Sequence, residues 1–277
     1  MFHPSKCSSV YYLEVMPKWM ESWRNVDRCP EYDYLWMVMF GRTRKYIHPR
    51  DHDWGALRRH LLTQCGYWLQ IPFGGVSSDK SFPHAAQAGK RSFPSRLKAF
   101  VGIGSKYEEG IDFVGRLTKL LMFCSGPHAT IEANDNSMDS EAPKLSEGTA
   151  ELLSFLNFVK PYFNPSNTGS WTFPLGAFLH YLSYEVSHRM GVMAGLNVLK
   201  SSHPNSYEQL RNDEPYLSCI ELPGHEIVAF LDTLLPLCQQ ALYSKNGSVS
   251  HAGETALLYL AQVDPVRVAP PMIDFGL

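Results

Sequence analysis

The chain has 277 residues, 44% of them apolar and 19% charged, with a formal net charge of −2 and a pI near 6.6. This balance fits a folded chain rather than a disordered polyelectrolyte, and it gives no electrostatic basis for gripping nucleic acid or an anionic membrane surface. No stretch reaches the roughly 20 apolar residues of a membrane span, and Met1-Phe2-His3-Pro4 does not open a charged and then apolar leader.

Helical spacing dominates from the start, with helices expected near 8–25 and 31–47. Trp19 and Trp23 stand four apart and share a helix face; with Trp36 they are expected to fill a core with large rings rather than to form a ligand cage. Asp53 is placed to cap a helix whose stripe is Trp54, Leu57, Leu61, Cys65 and Trp68. Residues 71–95 hold Gly74-Gly75, Pro83, Pro94 and the basic pair Lys90-Arg91, and read as a long surface loop. A helix near 106–124 follows. Gly126-Pro127 then opens a second loop over 125–146, carrying Glu132, Asp135, Asp139 and Glu141.

The next helix is expected near 147–163, and it leads into Pro161-Tyr162-Phe163-Asn164-Pro165-Ser166-Asn167-Thr168-Gly169-Ser170-Trp171. Pro165 biases Asn164 away from helix, Gly169 permits a reversal, and Ser170 is expected to cap a helix opening at Trp171. Trp171, Leu175, Phe178, Leu182 and Val186 form that helix's stripe, with Pro174 harmless in its first turn. Ile227, Leu231, Leu234, Cys238 and Ala241 form another, with Pro236 expected to kink it at the carbonyl of Asp232. After a turn over 244–248, Val249, Ala252, Ala256, Leu260 and Val263 line a partner helix, ending at Asp264-Pro265. From 225 to 263 this is a helix pair of about 40 residues, the length of a HEAT unit.

The expected fold is therefore all-α, one continuous piece of HEAT/armadillo-like α-solenoid with two long loops. Helical repeats cover 1–70, a loop 71–95, a helical segment 96–124, an acidic flexible loop 125–146, and HEAT-like repeats 147–277.

Candidate chemistry is sparse. His48, Asp51, His52, Asp53 and His60 are zinc- or iron-type ligands, but Asp51 and Asp53 are explained more simply by capping and the helix dipole. Gly102-Ile103-Gly104 lacks the third glycine of a dinucleotide loop, since position 107 is Tyr107. His180 and His188, with Tyr184 and Glu185, share a helix face without a nucleophile–base–orienter arrangement. Cys7, Cys29, Cys65, Cys124, Cys219 and Cys238 are scattered without a Cys-x-x-Cys pair, as reduced and mostly buried thiols of an intracellular protein are. The Asn246-Gly247-Ser248 sequon accordingly reads as an interhelical turn. No catalytic, cofactor-binding or metal-binding residue is assigned, and no cofactor is expected.

The segment 161–171 resembles the Phe-His-Pro-Ser-Asn-x-Gly-x-Trp stretch of the proteasome activator subunit 4 family, very large single-chain HEAT-repeat caps of the 20S proteasome. A second block is similar as well: Pro236, Ala241-Leu242-Tyr243-Ser244-Lys245, Ala256 to Ala261, and Pro265-Val266-Arg267-Val268-Ala269-Pro270-Pro271. The likeness is strongest over 161–271 and looser over 8–70. It implies a middle-region fragment of a regulator, not an enzyme. Such a protein would cap the α-ring of the 20S core particle without ATP or ubiquitin and favour gate opening. The resemblance also implies nuclear and cytoplasmic residence, a link to DNA repair, and acetylated-histone turnover through regions outside this chain. The Tyr-Tyr-Ala-like tail of that family is not found at Asp274-Phe275-Gly276-Leu277, and no functional residue is carried over. The alternatives are an unrelated HEAT-type scaffold or transport factor and, of another class, a small helical metalloenzyme using the His48–His60 region.

Overall fold

The computed structural model describes residues 9–26, 30–44, 46–47, 53–72, 106–126, 144–167, 169–213 and 222–274. Among them there are helices and turns and no strand. The helices are α1 (Ser9–Asn25), α2 (Pro30–Thr43), α3 (Trp54–Trp68), α4 (Lys106–Cys124) and α5 (Glu147–Val159), then a 3₁₀ turn (Lys160–Phe163). After it come α6 (Thr172–Ser202), α7 (Pro204–Asp213), α8 (Gly224–Leu242), α9 (Gly247–Val263) and α10 (Pro265–Asp274).

The expected stripes are the buried faces. Trp54, Leu57, Leu61 and Cys65 of α3 have no exposed surface, and Leu175, Phe178, Leu182 and Val186 are likewise buried along α6. In α8 the stripe Ile227, Leu231, Leu234, Cys238 and Ala241 is buried, and the helix runs on through Pro236. Val249, Ala252, Ala256 and Leu260 bury the facing side of α9, while Val263 is half-buried. These faces merge into one apolar cluster reaching from Tyr12 to Val268. Helix α6 is its spine, with α4, α8 and α9 packed on it, while α3 touches α4 and α5. Small residues allow the closest crossings. A Cβ on Gly253 would stand 3.0 Å from the Cβ of Ala241, and one on Gly176 would stand 3.2 Å from Val249 Cγ2.

Termini follow their caps. Asp53 accepts from the Gly55 amide at 2.9 Å, as expected, and Asn246 caps α9 by accepting from Ser248 at 3.0 Å. Asp264 ends α9 and caps α10, accepting from the Arg267 amide at 3.0 Å. Helix α3 closes in a Schellman turn: the Ile71 amide donates to Gly66 at 2.8 Å and the Gln70 amide to Tyr67 at 3.0 Å. Gln70 there adopts φ 57°, a conformation that normally selects glycine.

Several expectations are corrected. Ser170 does not cap α6; Trp171 holds that position without a side-chain bond, and Thr172 Oγ1 instead donates to Gly169 O at 2.7 Å. The α-helix after 147 stops at Val159, because Pro161 has no amide for an α-type bond and the chain tightens into the 3₁₀ turn. Helix α2 ends at Thr43, whose hydroxyl turns back onto Phe40 O, rather than at 47. Helix α6 extends far beyond Val186, to Ser202, and α7 forms over 204–213, where no helix is expected. Of the two long loops, 73–95 and 127–143 lie outside the described residues, as do 96–105 of the expected helical segment, His48, Asp51, His52 and Gly102-Ile103-Gly104.

Candidate functional site

The described residues of the segment, 161–167 and 169–171, form a corner held by its own amide side chains. Asn164 Oδ1 accepts from the Ser166 amide at 3.0 Å, an Asx turn that the proline at 165 presets. Asn167 Nδ2 donates to the carbonyls of Pro161 and Tyr162, both at 3.2 Å, and Pro161 O also takes the Asn164 amide at 3.3 Å. A Cβ at Gly169 would run into the Trp171 ring, so glycine is required by that close approach. Tyr162 meets Trp171 edge-on with centroids 6.0 Å apart, and its hydroxyl donates to Pro72 O at 2.9 Å. The Lys245 amide points at Pro165 O at 3.5 Å, so the corner after α5 abuts the corner between α8 and α9. Together they make a ridge of stacked turns.

The histidine candidates separate. Asp53 is occupied as a cap. His60 lies edge-on against Trp23 at 4.6 Å, and burial, followed by the Arg24 charge, lowers its pKa to about 4. Among the described residues no group of three or more His, Cys, Asp or Glu side chains could hold a metal ion. His180 and His188 do not meet each other. His180 sits edge-on to Tyr181 and to Tyr259 of α9, at 5.1 and 5.5 Å, while the exposed His188 stacks on Tyr184 at 5.6 Å. Burial first, then nearby His251, keeps His180 below the ordinary imidazole value. This seam between α6 and α9 is aromatic packing. Glu185 is buried among the helix's inward residues.

The three described thiols, Cys65, Cys124 and Cys238, are buried. Burial pushes Cys65 above the ordinary thiol range and Cys238 up to about 12.

Trp23 stacks between Trp36, Phe40 and Trp68, with centroids 6.2, 5.7 and 6.2 Å away, so the N-terminal rings are core, as expected. The anchor beneath them is Asp33, only 8% exposed. It accepts from Trp23 Nε1 at 2.7 Å and from Trp68 Nε1 at 2.8 Å. Arg58, fully buried, donates to Glu151 at 2.7 Å and to Cys124 O at 3.2 Å, with Glu147 at 3.3 Å. Glu226 accepts from the Ser146 amide and from Thr149 Oγ1, both at 2.9 Å. Sequence reasoning missed all three. A charged residue within an apolar stripe was the available signal for Arg58 and Glu226, but their partners lie 93 and about 80 positions away.

Residues 152–275 match the family described as proteasome activator complex subunit 4, mid HEAT repeats region. A proteasome activator subunit 4 of Arabidopsis thaliana is 30% identical over 125 residues, covering 45% of this chain and 6% of that protein. The chain therefore spans a small fraction of the relative's length. No solved structure matches.

Proposed function

We propose, from the match of residues 152–275 to the mid HEAT-repeat region of the proteasome activator subunit 4 family, that this chain is a wall segment of a proteasome-capping regulator. The observation that supports this best is the coincidence of the matched span with the helix pairs around α6 and the ridge of turns at 164–167 and 244–248. Helix pairs of this kind act by holding or occluding a partner over a long surface, not by bond-making. In this reading the parent protein binds the α-ring of the 20S core particle, favours opening of its pore, and stimulates peptide hydrolysis without ATP or ubiquitin. It resides in nucleus and cytoplasm and serves nuclear protein turnover, including that of acetylated histones recognised by regions outside this chain, and DNA repair. The segment's own part is to maintain the curvature of the wall.

The test is recovery of the endogenous protein with an antibody against residues 161–271, followed by its denatured mass and a fluorogenic-peptide assay. Co-recovery of 20S subunits with ATP-independent peptidase stimulation supports the reading. Recovery without 20S subunits overturns it.

A further inference from the structure

Helix α6 changes character at Arg189. All its buried side chains lie between Thr172 and Arg189. Beyond that point Val192, Met193, Leu196 and Leu199 are half-buried, and Val198 is 66% exposed. Helix α7 follows after the single residue His203 and touches the end of this outer half, where Lys200 Nζ lies 5.8 Å from the Tyr207 ring centroid. The corner between them is closed by the His203 amide donating to Leu199 O at 2.7 Å and the Tyr207 amide to His203 O at 3.0 Å. Residues 190–213 thus form a short helical arm attached to a well-packed body.

Two glycines, Gly191 and Gly195, stand where the arm leaves the body. A Cβ on either meets no atom within 4 Å, and neither has a left-handed φ. Neither packing nor backbone geometry requires glycine there. Each nevertheless favours helix opening by about fivefold relative to alanine. The contrast with Gly176 and Gly253, which admit close crossings, is direct. Side-chain-free positions one turn apart, in a helix half with few apolar contacts, concentrate bending at one place.

We propose that Gly191 and Gly195 form a hinge about which the α6–α7 arm swings as a unit while the body stays packed. The inference concerns the motion of this chain and does not depend on the proteasome reading. Spin labels carried on unnatural amino acids at the exposed Asn205 and Lys160 read the swing directly in the full chain, and amide exchange reads the opening. The expected result is a broad distance distribution that narrows in Gly191→Ala/Gly195→Ala and widens in Ala194→Gly. Exchange over 190–202 should slow about tenfold or more in the double-alanine variant, with 175–188 unchanged. A distribution already narrow in the parent chain, or equally broad in the double-alanine variant, overturns the hinge. So does exchange that is uniform along the whole of α6.

Discussion

Thr149 Oγ1 donates a 2.9 Å hydrogen bond to Glu226, a carboxylate from the first turn of α8 placed at the N-terminus of α5. The same carboxylate takes the Ser146 amide at 2.9 Å, and it is 1% exposed. A carboxylate there meets the positive end of the α5 dipole and takes the Ser146 amide, while the Thr149 hydroxyl has only a longer second contact, to Ser125 O at 3.4 Å. Glu226→Ala should therefore cost about 2 kcal/mol in denaturant unfolding, since it strands the buried Ser146 amide and leaves the Thr149 hydroxyl only its long contact to Ser125 O. Glu226→Gln, which keeps one acceptor, should cost less. Equal stabilities for parent and Ala variant would refute this role.

Asp33→Ala leaves two buried indole N–H groups, those of Trp23 and Trp68, without their shared acceptor. A loss of about 3 kcal/mol is expected, with a change in tryptophan fluorescence. Asp33→Asn retains one acceptor and should lie between. Unaltered fluorescence in both variants would contradict the bridging arrangement.

Gln70→Gly should stabilise the chain by up to about 1 kcal/mol, because a φ of 57° suits glycine and strains glutamine. The gain should appear as a higher unfolding midpoint with an unchanged slope. A lower midpoint would mean the Gln70 side chain contributes more than the torsion costs.

Acid should weaken the fold through two histidines. His60, lowered to about 4, and His180, also lowered, bind fewer protons folded than unfolded. Their neutral forms are fully accommodated above about pH 6.5. Stability is lost as pH falls below that value towards the folded pKa, by about 2 kcal/mol for the partly buried His60. His60→Phe, which keeps an edge contact to Trp23, should reduce the loss between pH 7.5 and 5. An undiminished loss in that variant would remove His60 as its source.

Periodic burial was legible because each stripe is local: Trp54 to Trp68 repeats every three or four residues, and the structure buries it whole. Asp53 was legible for the same reason, its acceptor being two residues away. Ser170 misled, since a hydroxyl before a helix has several local choices, and Thr172 takes the bond to Gly169. Helix α7 escaped notice because its composition is polar and Pro204, which opens it, also reads as a terminator. The partners of Asp33, Arg58 and Glu226 are set by tertiary packing, over separations no window spans.

Arg58 carries a further meaning for dissection of the molecule. The family match begins at 152, inside α5, whose preceding residue Glu151 is held by the guanidinium at 58, and across that border the hydroxyl of Tyr162 donates to Pro72 O. The edge of kinship is thus not an edge of packing. A piece cut at that border would sever α5 and lose its flank on α3 and α4.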